Sequence, residues 1–564
     1  MRWVTTFMSK LPKLHRKPFS GYSNSKKVSF ARSTFGVISF VSRSFKRIAL
    51  SLICLVGAIG FSTISPSSAS AGTTSSNTIL YATALTTLTT ASNPCSFSSP
   101  CSLATALTKV TAGETIDLVT PGSTAHYDGN FTINTANTSK TAPITIQPAP
   151  GVTNPTLDGQ GKGTVLTIDS NAFVNLNGVT ITGGQAASGS YGPQGPGVRG
   201  GNGGGIKYSG SGSLIITDST ISGNSAGNGG NGASFGGTGG NGGGISYVGT
   251  GSLTIADSTI SGNFAGNGGE GYLSVGGTGG NGGGIYYHSS GSFTISNATI
   301  TDNAAGNGGT VLSPGPSGDG GGIYNNGDTT TIANSTISGN SVLGGGDSGL
   351  GSGIYNASGT VNLAADLLAT PSAPSAGGEC SGGGFIDYGY NVADDNTCGL
   401  TSSTSRPTAT AAELLGALQN NGGSTLTILP LPGNPAIGLI PTTATIGNTK
   451  LSLCPATDQR GFATVSGVNC DAGSLQLASV LYAAATPLGS ATCADATDAC
   501  NLTTALGDVG AGGVIDLVTP GSTAHYDGNF TLNTNDTSAT APVTIQPAPG
   551  VTNPTLDGQG KGTV

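Results

Sequence analysis

Along residues 203–340, apolar side chains fall at every second position in short bursts, and the bursts recur. In GGGISYVGTGSLTIADSTISGN, at 242–263, the alternation puts Ile245 with Tyr247, Leu253 with Ile255, and then Ile260 on one side of the chain. A period of two is the signature of a half-buried strand, and Ile, Tyr, Phe and Thr suit a pleated surface. The Gly, Ser, Asp and Asn between the bursts predict tight turns. Each copy is therefore expected to build three short strands that close one triangular coil.

The same pattern stands at 203–224, 282–303 and 320–340, and its opening isoleucines, Ile206, Ile245, Ile285 and Ile323, are 39, 40 and 38 residues apart. Self-similarity at a fixed period signals stacked repeats. One coil cannot bury its own apolar face, so coils stack at roughly 4.8 Å and pair equivalent strands into parallel sheets. The four isoleucines would form an internal stack. Asn224, Asn263, Asn303 and Asn340 would form an amide ladder at a turn, where Asn tolerates left-handed backbone angles. The predicted fold is all-β, a right-handed parallel β-helix with Gly-rich loop insertions and a short capping helix. The inserts at 225–241 and 264–281 carry little apolar surface and read as flexible spacers protruding from one corner. The functional alternative is a ligand-contacting fringe, since insertions in solenoids often map to the binding face.

The flanks give the organisation. Residues 1–47 hold 11 of the 20 Lys and Arg and no acidic residue; an apolar run at 48–64 and the triplet Ala69-Ser70-Ala71 follow. This reads as a signal peptide over 1–71 with a long basic n-region, or as a retained N-terminal membrane anchor. An N-terminal cap is expected over 72–115, with a short helix after Ser102, because a solenoid end exposes strand edges and an open core. The β-helix runs over 116–365, and C-terminal coils and closure over 366–480. At 515–564 the chain repeats 116–165 almost residue for residue, so 481–564 reads as the start of a second, truncated β-helix, and the sequence as a fragment or interrupted reading frame.

Composition narrows the partners. Of 564 residues 97 are Gly, without the strict triplet period of collagen. After residue 71 there remain 27 acidic residues against 9 Lys and Arg, so no basic patch invites nucleic acid. Eight cysteines fall into the local couples Cys95 with Cys101, Cys380 with Cys398, Cys454 with Cys470, and Cys493 with Cys500. In an exported chain these predict four disulfides.

The GGGI and SxISGN repeats, the LDGQGKG turn at 157–163, and the segments NNGGSTLTILPLPGNPAI and CPATDQRGF carry a resemblance. The chain resembles bacterial right-handed β-helix repeat proteins of the polymorphic outer membrane protein and adhesin type, within the pectin-lyase-like superfamily. The resemblance implies export or surface display and an adhesive role. It departs from that pattern in its closing CDAGSLQL and in the outer-membrane barrel, which this sequence does not contain.

The superfamily also includes polysaccharide-cleaving enzymes, which need paired carboxylates with one pKa raised. Asp218 and Asp257 align with Asn297 and Asn334 and read as interchangeable turn residues. His126 and Asp128, repeated as His525 and Asp527, read as a structural loop, and His288 as a surface residue. Calcium at Asp319, Asp328 or Asp347 would need the regular Asp spacing of calcium β-rolls. No catalytic, cofactor or metal residues are expected. The functional expectation is a secreted or cell-surface, non-catalytic, adhesive or structural protein meeting surface glycans or extracellular proteins. The alternative is a carbohydrate-binding or polysaccharide-degrading β-helix. An ice-binding solenoid would need a flat, regular Thr array, and here Thr alternates with Ser, Asp and Asn.

Overall fold

The computed structural model describes residues 78–559, apart from 85–93, 121–125, 136–138, 343–348, 370–377, 447–451, 520–524, 533–542 and the positions 432, 466, 478, 494, 511 and 512. The segment 1–71 lies outside the described residues.

The strands stack in parallel and in register. Ile206 pairs with Ile245, Ile245 with Ile285 and Ile285 with Ile323. One face is a nine-stranded sheet running from His126–Asp128 to Val392–Ala393. The other two merge into a 17-stranded sheet, because Ile323–Ala333 and Ile354–Ala364 run unbroken around a corner that divides earlier coils into two strands. Crossovers between parallel strands of one sheet are right-handed. The fold is a right-handed parallel β-helix.

Alternation sorts the side chains. Ile206, Tyr208, Leu214, Ile216 and Ile221 are wholly buried, and the equivalent places in the next two coils are buried too. Tyr208 and Tyr247 stack inside with ring centroids 4.5 Å apart. The helix Leu103–Lys109 closes the N-terminal end; Ser102 caps it by accepting from Thr105 N–H, and Leu103, Ala106 and Leu107 face the core. The disulfide Cys95–Cys101 ties this cap, and Cys380–Cys398, Cys454–Cys470 and Cys493–Cys500 are bonded as well. The helix Leu502–Asp508 begins the second module in the same way, capped by Asn501.

The asparagine ladder differs in its reason from the expected one. Asn224, Asn263, Asn303 and Asn340 are buried, and each Nδ2 in the first three donates to the next Oδ1 at 2.9–3.0 Å. The left-handed residues are their predecessors Gly223, Gly262, Asp302 and Gly339. Left-handed backbone is also where Asp218, Asp257, Asn297 and Asn334 sit, at φ 46–51°, which is why Asp and Asn exchange there.

The stretch 414–477 does not continue the parallel stacking. Leu415–Gln419 and Thr427–Pro430 pair antiparallel, and the segment lies as a strap along the nine-stranded sheet. Its Gln459 is buried between rungs: Oε1 accepts from Thr299 Oγ1, while Nε2 donates to Thr259 Oγ1 and Thr425 Oγ1. The hydroxyl face of that sheet gives the strap polar partners instead of the apolar face a further coil would require.

Candidate functional site

The glycine-rich inserts are packed. Each leaves the β-helix on an outgoing arm, turns, and comes back on a return arm, and the arms of successive inserts hydrogen-bond sideways. Gly229 N–H donates to Asn267 O in the next insert at 2.7 Å, Gly230 N–H to Val198 O in the previous one at 2.8 Å, and Gly237 N–H to Gly230 O within its own at 2.8 Å. The directions repeat every third residue, as Gly227, Gly240 and Gly266 show, which is the symmetry of an extended three-fold helix. Glycine is required here for close approach. A Cβ on Gly197 would lie 1.8 Å from Gly230 O, and one on Gly236 1.8 Å from Gly269 O. The expectation of loose spacers is replaced by a three-dimensional array of backbone hydrogen bonds.

The remaining arm position carries side chains that brace neighbouring inserts. Asn267 N–H donates to Asn228 Oδ1 and Asn307 N–H to Asn267 Oδ1, both at 2.8 Å. On this array lies a groove of about 490 Å³ lined by Gly189, Tyr191, Gly229, Gly230, Asn231 and Tyr272. Tyr191 and Tyr272 are 54% and 43% exposed, with ring centroids 6.3 Å apart at 65°. Asn231 Nδ2 donates to Tyr272 Oη at 3.1 Å while its Oδ1 accepts Glu270 N–H at 3.0 Å, so the amide fixes the ring. Two exposed aromatic faces above a floor of bare backbone suit a ligand with flat apolar faces and hydroxyls between them.

The carboxylates divide into three cases. Asp218 and Asp257 stand on adjacent rungs beneath the strap: Asp218 Oδ1 accepts from Ser424 Oγ, and Asp257 Oδ1 accepts from Asn297 Nδ2. Burial, with Asp218 next in weight, pushes the Asp257 carboxyl up to about 7, and burial raises Asp218. A proton held at neutral pH beside a second carboxyl is the raw material of acid–base chemistry, and aligning the pair with Asn297 and Asn334 does not reveal it. Among the described residues, Asp319 and Asp328 belong to no group of three metal-ligating side chains, and Asp347 lies outside the described residues. His126, Asp128 and Asp158 do form such a group, as do His525, Asp527 and Asp557. His288 Nδ1 accepts from Asn326 Nδ2 at 2.7 Å on the outer face.

The segment CPATDQRGF has a joint to build. Arg460 and Asp458 form a buried ion pair at 2.6 Å; the guanidinium also donates to Asn421 O and Gln476 O and lies 4.4 Å over the Phe462 ring. Phe462 packs with Leu481, Leu502 and Leu506 of the second module.

No family model matches the chain. No curated protein matches it either. Among solved structures the chain is similar to pectate lyase Pel9A, at 15% identity and a TM-score of 0.33, over 71% of this chain and 96% of that one. No helix among the described residues is long and apolar enough to cross a membrane.

Proposed function

We propose that this chain is an exported, non-catalytic β-helix protein that acts by adhesion, holding the Tyr191–Tyr272 groove of its glycine array toward surface glycans or extracellular proteins. What carries the reading is that groove: two tyrosine rings with polar tips stand together at it, and they are fixed on a backbone array that loses little freedom when a ligand arrives. The four disulfides support an oxidising, extracytoplasmic setting. Binding of the full chain to an array of glycans and matrix proteins tests it, with reducing-end release followed on the same polysaccharides. Saturable binding without product, lost by about tenfold or more in Tyr272→Ala, is expected. Binding indifferent to Tyr272→Ala would remove the groove from the account.

A second reading, polysaccharide cleavage, is favoured by the raised Asp257 beside Asp218. It requires product release that Asp257→Asn abolishes; no release is the expected result, because the strap covers the pair.

A further inference from the structure

The nine-stranded sheet has an outward column whose chemistry changes along its length. In register from the third rung to the seventh it reads Thr182, Ser222, Ser261, Thr301 and Ser338, all neutral hydroxyls. In the first two rungs it reads Asp128 and Asp158, one directly above the other. The outward residue two before Asp128 is His126, and its Nδ1 lies 3.1 Å from Asp158 Oδ2. Among the described residues neither Lys nor Arg pairs with Asp128 or Asp158. In this column the two stacked carboxylates stand beside an imidazole that bonds Asp158.

The surroundings hold these groups in place. Tyr127, between His126 and Asp128, points into the core; its hydroxyl donates to Ala82 O at 3.1 Å and accepts Thr120 N–H at 3.1 Å. Asp158 Oδ1 accepts Gln160 N–H at 2.8 Å, which leaves Oδ2 toward the imidazole. The second module repeats each part. His525 Nδ1 lies 3.2 Å from Asp557 Oδ2, Asp527 stacks on Asp557, Tyr526 donates to Ala483 O, and Gln559 N–H donates to Asp557 Oδ1. The site lies inside the block that the chain repeats almost residue for residue, and the cap helices before it read LATALTK and LTTALGD.

We propose that each module carries a surface site for a divalent transition-metal ion of the zinc class, formed by His126, Asp128 and Asp158 in the first and by His525, Asp527 and Asp557 in the second. In both groups the ligand atoms lie within 4.8 Å of one another. An ion bonded at about 2.0–2.2 Å to nitrogen and oxygen draws such atoms to roughly 3–4 Å apart, a small closure for exposed side chains. Imidazole with two carboxylates selects zinc, cobalt or manganese over calcium, which takes six to eight oxygens. The orienting bonds to Asp158 and Asp557 are the outer support that metal sites use. Water would complete the coordination. The assignment is independent of the adhesive reading.

The test is a titration of the chelator-treated full chain with Co²⁺, read by its d–d absorption, and with Zn²⁺, read by calorimetry. Two equivalents are expected. His126→Asn and His525→Asn should each remove one, and the double variant should bind more than about 100-fold more weakly. Asp128→Asn with Asp527→Asn is the second pair, and far-UV circular dichroism confirms the fold in every variant. Absence of saturable binding, or two equivalents retained in a folded double variant, overturns the proposal. Displacement of Co²⁺ by equimolar Ca²⁺ overturns it as well.

Discussion

Placing alanine at Gly197 and, separately, at Gly195 asks whether the inserts are an array or a set of loops. The positions lie two residues apart in the same insert. A Cβ at Gly195 meets nothing within 4 Å, whereas one at Gly197 lies 1.8 Å from Gly230 O. Ordinary contact begins at 3.4 Å, so the arm must move back by about 1.6 Å. Hydrogen bonds of 2.8–3.1 Å join this arm to its neighbours, namely Gly197 N–H to Phe235 O, Val198 N–H to Ser190 O, and Gly230 N–H to Val198 O. None survives such a displacement. At about 1 kcal/mol each, losing the three costs about 3 kcal/mol locally. Amide exchange followed by mass spectrometry on 185–202 and 225–241 should then quicken by about 100-fold in Gly197→Ala and stay within about twofold of the parent in Gly195→Ala. Equal exchange in the two variants would refute the packed array.

Three further outcomes are expected. Asn263→Ala removes a side chain that donates to Ile221 O and Asn303 Oδ1 and accepts from Asn224 N–H and Nδ2; stability to denaturant should fall by about 2–4 kcal/mol, and a smaller loss than 1 would contradict the buried ladder. Asp257 holds its proton in the folded state up to about 7 but loses it near 3.8 when unfolded. Its penalty therefore builds as pH rises from about 4 to 7, so Asp257→Asn should stabilise by about 4 kcal/mol above pH 7 and by nothing near pH 4, as melts at the two pH values would show. Gln459→Ala removes the side-chain bonds from the strap to Thr259 and Thr299, leaving Thr259 Oγ1 its bond to Leu426 O and Thr299 Oγ1 its contact with Ser474 Oγ, and limited proteolysis should then cut within 414–477 before the β-helix is touched.

The β-helix was legible because two signals agree in it: alternation within a strand and recurrence between coils. Ile245 and Tyr247 report the strand, and Ile206 to Ile323 report the stack. The glycine array was not, because its information lies in side chains that are missing. Gly227 with Gly230 and Gly237 with Gly240 do carry a triplet spacing, but the turn breaks it in every insert, so counted over the whole chain the triplet vanishes. Asp218 and Asp257 aligned correctly with asparagines as left-handed turn residues; what alignment could not carry is the strap, more than 160 residues away, that buries them. Gln459 and Arg460 were visible only as part of a motif, since their partners, Thr259, Thr299, Asn421 and Gln476, are brought near by the fold alone.

The array has a consequence for variation. Its arms admit almost no substitution, because each glycine faces a neighbour's carbonyl, yet the turns between arms differ in every insert: Pro193-Gln194 in the first, Ala233-Ser234-Phe235 in the second, Tyr272-Leu273-Ser274 in the third and Val311-Leu312-Ser313 in the fourth. Length differences between inserts are absorbed there, and Phe235, Leu273 and Leu312 are all exposed. A constant frame with interchangeable tips separates heritable change in specificity from the risk of misfolding. New surface chemistry can be tried at four neighbouring tips while the glycine arms keep their own bonds, the tips meeting the frame through backbone contacts such as Gly197 N–H to Phe235 O.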